Sequence, residues 1–132
     1  MTDYASRKDA LDEMDRLAAI CGMRLGTVQR SRNGVDLLAN RFLAALRKQR
    51  AVREEVRARF RLSPGTDPGS QVGAVDAELP GLRQALDDLM VAYAESLPVF
   101  ADASVVSRLA VDMVEVSKLR TVIDLWVESE PS

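Results

Sequence analysis

The chain has 132 residues, a length that fits one domain with a single buried core. Hydrophobic residues make up 47% and charged residues 29%, which is typical of a globular protein and excludes an intrinsically disordered chain. There is no histidine and only one cysteine, Cys21, which excludes a Ser-His-Asp triad, a histidine-ligated metal and an iron–sulfur site within this chain. We therefore predict no catalytic, cofactor-binding or metal-binding residues.

No apolar run approaches the roughly 20 residues that a membrane-spanning helix needs. The first residues, Met1 to Tyr4, contain no cationic segment leading into an apolar one, so we expect no secretory signal. A single cysteine cannot form an internal disulfide, which is typical of a reducing compartment. The sequence therefore predicts a cytoplasmic protein with no membrane partner.

The first predicted helix runs from about residue 3 to 32. Apolar side chains recur every three or four residues along one face, the pattern of an amphipathic helix. That face comprises Tyr4, Leu11, Met14, Ala18, Cys21, Leu25 and Val28. Asn33-Gly34 ends the helix, since both residues accept left-handed backbone angles. Ala18, Gly22 and Gly26 form a strip of small residues, where we expect another helix to approach closely.

The second predicted helix, residues 35 to 62, repeats this pattern and ends at Ser63-Pro64-Gly65. Its predicted core face comprises Val35, Leu38, Phe42, Ala45, Gln49, Val52, Val56 and Arg59. Two helices of nearly equal length joined by a short Asn-Gly turn predict a long antiparallel hairpin.

Two further helices are predicted over residues 75 to 96 and 103 to 129. Ser96-Leu97-Pro98 should end the first of them, and the hydroxyl of Tyr93 should reach water at the edge of the bundle. Asp112 falls on the core line of the last helix, either as a buried carboxylate paired with an arginine or where the bundle is open. The fold class is therefore all-α: one domain forming an antiparallel four-helix bundle, with a long helical hairpin plus two shorter helices.

Charge is distributed unequally along the sequence. Residues 1–63 hold 14 basic and 8 acidic residues, a net charge of +6, whereas residues 64–132 hold 4 basic and 12 acidic residues, a net charge of −8. Four arginines of the second helix share a face with Glu54, which we expect to meet solvent, an acidic partner or a polyanion. They are Arg47, Arg50, Arg57 and Arg61.

The last helix carries more apolar residues than a single core-facing stripe needs. They cover much of its circumference, and a helix that is apolar on most sides is buried on most sides. We therefore predict a surface for self-association or for a protein partner. Its residues are Val122, Leu125 and Trp126.

Residues 17 to 34 resemble the helix-turn-helix of bacterial repressors. Ala18 matches the small residue of the first helix, Gly22 matches the glycine of the turn, and Thr27-Val28 would lie within the recognition helix. The resemblance implies that the DNA contacts come from Thr27, Gln29, Arg30 and Arg32.

A continuous helix is the competing interpretation of the same segment. The apolar face from Leu11 to Val28 keeps its phase through Gly22, whereas a true turn would reset it. We prefer the continuous helix.

Two functions follow from these observations. The preferred one is a non-enzymatic adaptor or chaperone-like module for protein–protein interaction, which works as an oligomer. The alternative is a DNA-binding protein, a small transcription regulator or DNA-packaging-type subunit, that reads DNA with residues 17 to 34. Nucleic acid would then be a partner of the basic N-terminal half. An enzyme based on carboxylate or arginine chemistry has the least support.

Overall fold

The structure is a computed structural model that describes residues 6–31, 34, 36–65 and 79–129. Within these ranges the chain forms four α-helices and no strand, which confirms the predicted all-α fold. They are α1 (Arg7–Ser31), α2 (Asp36–Arg59), α3 (Leu79–Phe100) and α4 (Ala103–Ser129). Residues 3–5 and 75–78, which we assigned to predicted helices, lie outside the described residues. None of the described helices is long and apolar enough to cross a membrane.

Short polar side chains begin α1 and α4. The hydroxyl of Ser6 accepts a hydrogen bond from the backbone N–H of Asp9 at 3.1 Å. The carboxylate of Asp102 accepts hydrogen bonds from the N–H groups of Ser104 and Val105 at 3.0 and 3.2 Å. Both residues therefore act as N-caps, which satisfy amides that have no partner within the helix.

Two non-glycine residues with left-handed backbone angles follow α2 and α3. Arg61 has a φ of 58° and Ala101 has a φ of 49°. α3 continues through Pro98 to Phe100, so the prediction that Ser96-Leu97-Pro98 ends this helix is wrong. Proline cannot donate to the carbonyl four residues earlier, so Pro98 costs α3 one backbone hydrogen bond, and the helix ends two residues later.

Each helix packs against two others. α1 contacts α2 and α3, and α4 contacts the same two helices. Paired residues of α1 and α2 run in opposite directions, because Arg57 binds Asp12 near one end and Gln29 binds Asp36 near the other. These two helices are therefore antiparallel neighbours.

The contacts between α2 and α4 also join opposite ends of the two helices. The ring of Phe42 on α2 stacks on Trp126, whereas Arg59 at the other end of α2 binds Asp102. Between α3 and α4, Arg83 pairs with Asp124 at 3.6 Å. α4, at 27 residues, is the longest of the four described helices.

The hydrophobic core contains aliphatic and aromatic residues from all four helices. The apolar face predicted for α1 is confirmed over its described positions, which are all buried. These positions are Leu11, Met14, Ala18, Cys21, Leu25 and Val28. α3 and α4 complete the core. They contribute Leu82, Leu89, Phe100, Leu109, Val116 and Ile123.

α1 is unbroken from Arg7 to Ser31, which confirms the preferred continuous helix over residues 17 to 31. The helix-turn-helix geometry is therefore wrong, because the backbone does not turn at Gly22. A helix that keeps its apolar face in phase on both sides of a glycine gains burial along its whole length, and this outweighs the roughly 1 kcal/mol that the glycine costs.

The strip of small residues on α1 does not mark a close approach of another helix. A Cβ atom placed on Gly22 would lie 3.9 Å from Cδ2 of Leu43, which is ordinary van der Waals contact. A Cβ atom on Gly26 would meet only the side chain of Arg30, which belongs to the same helix. The expectation of tight helix packing at these glycines is therefore wrong.

Candidate functional sites

The arginines predicted to share one exposed face of α2 divide between surface and core. Arg47 and Arg61 are exposed, and Arg50 is half-buried. Arg57 is only 1% exposed, so the expectation that it faces solvent or a partner is wrong. The arginine face that remains available is therefore narrower than the sequence pattern predicts.

The burial of Arg57 has a simple geometric cause. The core face of α2 is rotated from the predicted one, so that Ala39, Leu46 and Arg53 are buried in place of Leu38, Ala45 and Val52. Arg59, predicted on the core face, is instead exposed and pairs with Asp102. The rotated face has fewer apolar atoms, but it lets α2 direct two guanidinium groups at acidic residues of α1.

Arg57 contacts three carboxylates. Its Nη2 donates to Oδ1 of Asp12 at 2.8 Å, and its Nη1 lies 2.6 Å from both Oε1 of Glu54 and Oδ2 of Asp15. Burial alone would lower the pKa of Arg57, but the hydrogen bond with Asp15 and the surrounding negative charge raise it. Arg57 is therefore a fully charged group that neutralises a cluster of acids.

Arg53 connects this cluster to α3. Its Nε donates to Oδ1 of Asp15 at 2.5 Å, and its Nη1 donates to the hydroxyl of Tyr93 at 2.6 Å. Tyr93 is completely buried, so the expectation that its hydroxyl reaches water is wrong. Burial raises the pKa of Tyr93 to about 12, which keeps the hydroxyl protonated and able to donate to Gln49.

Asp112 brings α4 into the same polar layer. The residue is 4% exposed, and its Oδ2 has no hydrogen-bond partner among the described residues. Burial raises the pKa of Asp112 to about 6. The positive charge of Arg53 acts to lower this pKa, and the negative charge of Glu115 acts to raise it. Of the two predicted environments, the structure therefore shows a buried carboxylate, and no arginine of the described part of the chain forms a direct hydrogen bond with it.

All four helices thus contribute to one polar layer, buried at its centre and half-buried at Asp12 and Glu54, which we call the ionic core. It comprises Asp12, Asp15, Gln49, Arg53, Glu54, Arg57, Tyr93 and Asp112. Apart from Asp112, its charged groups are paired with one another, and such a network fixes the register of helices because any slip leaves a charge buried without a partner. Among the described residues, no group of three acidic or cysteine side chains could hold a metal ion.

A row of exposed apolar side chains runs along the outer side of α4. Val111 is 63% exposed, Val114 is 51% exposed and Leu125 is 58% exposed. At 3.6 residues per turn these positions fall within about 60° of one another around the helix. We call them the apolar row.

The other two apolar residues predicted to bind a partner lie closer to the core. Val122 and Trp126 are both half-buried and pack against the core. The ring of Trp126 stacks on Phe42 of α2 with 6.1 Å between ring centroids. Of the three predicted positions, Leu125 is therefore the one that is mainly exposed.

The residues that the helix-turn-helix resemblance assigns to DNA lie near the end of α1. Gln29 donates to Asp36 and Asn40 of α2, so its side chain joins the two helices. Thr27 donates to the carbonyl of Met23 and accepts from Arg30. Arg32 lies outside the described residues.

Comparisons with models of protein families, with curated proteins and with solved structures find no match for this chain.

Proposed function

We propose that this protein is a non-enzymatic interaction module of the adaptor or chaperone-like type. In this proposal it acts in the cytoplasm as an oligomer, with the apolar row of α4 as the contact between copies. The observation that carries the proposal is the apolar row itself, because Val111, Val114 and Leu125 stay exposed although the bundle already has a complete core. Scattered apolar residues are normal on a surface, but three on one side of one helix form a patch that favours association.

A second copy of the chain is the partner that fits this row best. Positions 111 and 125 are about 21 Å apart along the helix axis at 1.5 Å per residue, which is a long enough stripe for helix-to-helix packing. In a two-fold pairing each apolar row meets an identical row, so every exposed side chain gains an apolar neighbour. Lys118 lies within the row, and its long flexible stem can cover apolar surface while the ammonium group stays in water.

The basic surface of α2 supports a second contact, to an acidic partner. Arg41, Arg47 and Lys48 are exposed on the first half of this helix. Within the described residues, Arg41 and Arg47 form no ion pair with another side chain, so their charge is available to a partner. Arg50 lies farther along α2, and Arg61 lies just beyond its end. Such a surface increases the association rate of an acidic partner more than it increases the affinity.

The oligomeric mass in solution tests the proposal. We expect the wild-type chain to form a dimer or a larger oligomer by light scattering, and the double variant Val114→Ser/Leu125→Ser to be monomeric with unchanged helicity. Val91→Ser is the matched control, since Val91 on α3 is also 51% exposed and lies outside the row. Trp126→Ala is a poorer test, because its stacking on Phe42 stabilises the monomer itself.

Two results would contradict the proposal. One is a monomeric wild-type chain at high micromolar concentration. The other is an oligomer whose mass is the same in the double variant as in the wild type. If Val91→Ser also lowers the oligomeric mass, the contact between copies lies away from α4.

A further inference from the structure

The outer face of α4 has the spacing of a coiled-coil seam. A line of exposed side chains along it alternates at intervals of four and three residues, as do the a and d positions that face a partner helix in a coiled coil. We call this line the α4 seam. It comprises Ser107, Val111, Val114, Lys118, Thr121, Leu125 and Glu128. The apolar row supplies three of these positions, so it lies within a longer line that has the geometry for packing against another helix.

The neighbouring helices flank the α4 seam without covering it. On one side of the seam, Arg108 forms an ion pair with Glu55 of α2. On the other side, Asp124 lies 3.6 Å from the guanidinium of Arg83 on α3. These ion pairs fix α2 and α3 on the two flanks of α4, and every position of the seam between them is exposed. The seam is therefore the side of α4 on which one more helix can pack.

The charged residues of the seam discriminate between the two orientations of a second copy. In a parallel pairing each position meets itself, so Lys118 would face Lys118 in the middle of the seam and Glu128 would face Glu128 at its end. Like charges in direct contact across an interface are strongly unfavourable. An antiparallel pairing places different positions opposite each other and avoids both contacts.

The apolar residues of the seam select one antiparallel register. Antiparallel packing places a positions opposite d positions, and in one register Val114 of each copy lies opposite Leu125 of the other. The two-fold symmetry forms this apolar contact twice. Registers shifted by whole heptads either form no contact between two apolar residues or leave Leu125 beyond the end of the other helix.

The same register gives the central lysine a hydrogen-bond acceptor. Lys118 of each copy lies opposite Thr121 of the other. The hydroxyl of Thr121 donates its proton to the carbonyl of Ser117 at 3.1 Å, which leaves lone pairs of its oxygen to accept from an ammonium group. The charge of Lys118 is therefore hydrogen-bonded within the contact while its aliphatic stem covers the neighbouring apolar side chains.

We propose that two copies of this chain pair through antiparallel α4 seams, with Val114 of each copy packed against Leu125 of the other. The two-fold axis then passes between Lys118 and Thr121. This inference rests on the proposed function, because it specifies the orientation and register of the contact between copies. One helix face from each copy makes a small interface, so the dimer dissociates on dilution.

Disulfide cross-linking between single-cysteine variants tests orientation and register together. A disulfide needs two Cα atoms within about 7 Å of each other. In the proposed pairing positions 114 and 125 of different copies meet this condition, whereas two copies of position 114, or of position 125, lie about 16 Å apart along the helix axis. A mixture of Val114→Cys and Leu125→Cys chains should therefore give roughly tenfold or more linked dimer than either variant alone under mild oxidation. The native Cys21 does not interfere, because its side chain is buried.

A mixture of Val91→Cys and Leu125→Cys is the control for random collision. Val91 on α3 is 51% exposed and lies outside the seam, so this mixture should give no more linked dimer than Leu125→Cys alone. The mass of each linked dimer identifies its two chains, because the variants differ in mass.

Light scattering of the wild-type chain separates failure of this inference from failure of the proposed function. A monomeric wild-type chain contradicts both. If the wild-type chain is oligomeric and each variant alone gives as much linked dimer as the mixture, the pairing is parallel, which overturns the inference and leaves the proposed function standing. An oligomer that gives no linked dimer in any sample also overturns the inference, because the copies then meet at another surface.

Discussion

Arg53 of α2 donates a hydrogen bond to Asp15 of α1 over 2.5 Å, and both side chains are at least 95% buried. The second oxygen of the same carboxylate lies 2.6 Å from Nη1 of Arg57. One buried carboxylate thus binds two buried guanidinium groups, of which Arg57 also pairs with Asp12 and Glu54. The desolvation of all three groups is offset only while the set is complete, so loss of a single member leaves an uncompensated buried charge.

The first prediction concerns Asp15 itself. Asp15→Asn should lower the free energy of unfolding by about 3 kcal/mol or more, since it leaves Arg53 and Arg57 buried without their shared negative charge. Urea denaturation followed by circular dichroism measures this change. The matched control is Glu13→Gln, which breaks the exposed pair of Glu13 with Arg16 on the same helix. We expect this control to change stability by no more than about 0.5 kcal/mol. Equal losses in the two variants would show that the buried ion pairs of Asp15 contribute no more to the free energy of unfolding than an exposed pair does.

Periodicity alone was sufficient to predict α1. Leu11, Met14, Cys21 and Val28 lie on one line of the helix, and this line is the buried one. Apolar residues are frequent enough on α1 that no second line competes with the first. The unbroken course of the helix through Gly22 follows from the same pattern.

The ionic core could not be predicted in the same way. On α2 the line through Gln49, Arg53 and Val56 competes with a line through Gln49, Val52 and Val56, and hydrophobicity favours the second. The first line is buried because Arg53 bonds to Asp15 and Tyr93, which lie 38 and 40 residues from it along the chain. The apolar pattern of one helix does not show which polar side chains face it from another helix. It therefore predicts Arg57 and the hydroxyl of Tyr93 at the surface, although both residues are buried. The signal in the sequence is that Gln49, Arg53 and Arg57 follow one another at intervals of four residues, which places them on one line of the helix.

The second prediction concerns the pH dependence that Asp112 introduces. Burial raises its pKa to about 6 in the folded chain, against about 3.9 in an unfolded chain. The folded state therefore binds more protons between these values, and the contribution of Asp112 to stability is fully present below about pH 4 and is lost as the pH rises through 6. Asp112→Asn removes this loss, so the free energy of unfolding of the variant should exceed that of the wild type by about 1–3 kcal/mol at pH 7.

Urea denaturation at several values between pH 4 and 8 measures the difference between the two chains. We expect the difference to grow with pH and to level off above about pH 7. Asp88→Asn is the control for loss of a carboxylate, because Asp88 is exposed on α3. A difference that is independent of pH would contradict an elevated pKa at Asp112.

The third prediction concerns Cys21. The side chain is buried, and its burial raises the pKa of the thiol to about 12, so almost no thiolate exists at pH 8. We expect no reaction with an aromatic disulfide reagent in the native chain and one thiol per chain after denaturation. Ala51→Cys adds an exposed thiol on α2 and should react at once with a stoichiometry of one. Rapid native labelling of Cys21 would show that α1 opens readily at this position.

The fourth prediction concerns the short connection between α3 and α4. Ala101 has a φ of 49°, and it is held there from both sides, because Arg7 donates to the carbonyl of Phe100 at 3.0 Å and Asp102 caps α4 while it binds Arg59. A left-handed alanine costs about 1–2 kcal/mol, whereas glycine adopts this angle freely but loses more backbone entropy on folding. Ala101→Gly should therefore stabilise the chain by about 0.5–1 kcal/mol, seen as a higher urea midpoint at an unchanged slope. Ala94→Gly, at an exposed position within α3, should have the opposite sign and cost about 1 kcal/mol. If both glycines destabilise the chain, the left-handed turn after α3 is not the conformation that the chain adopts in solution.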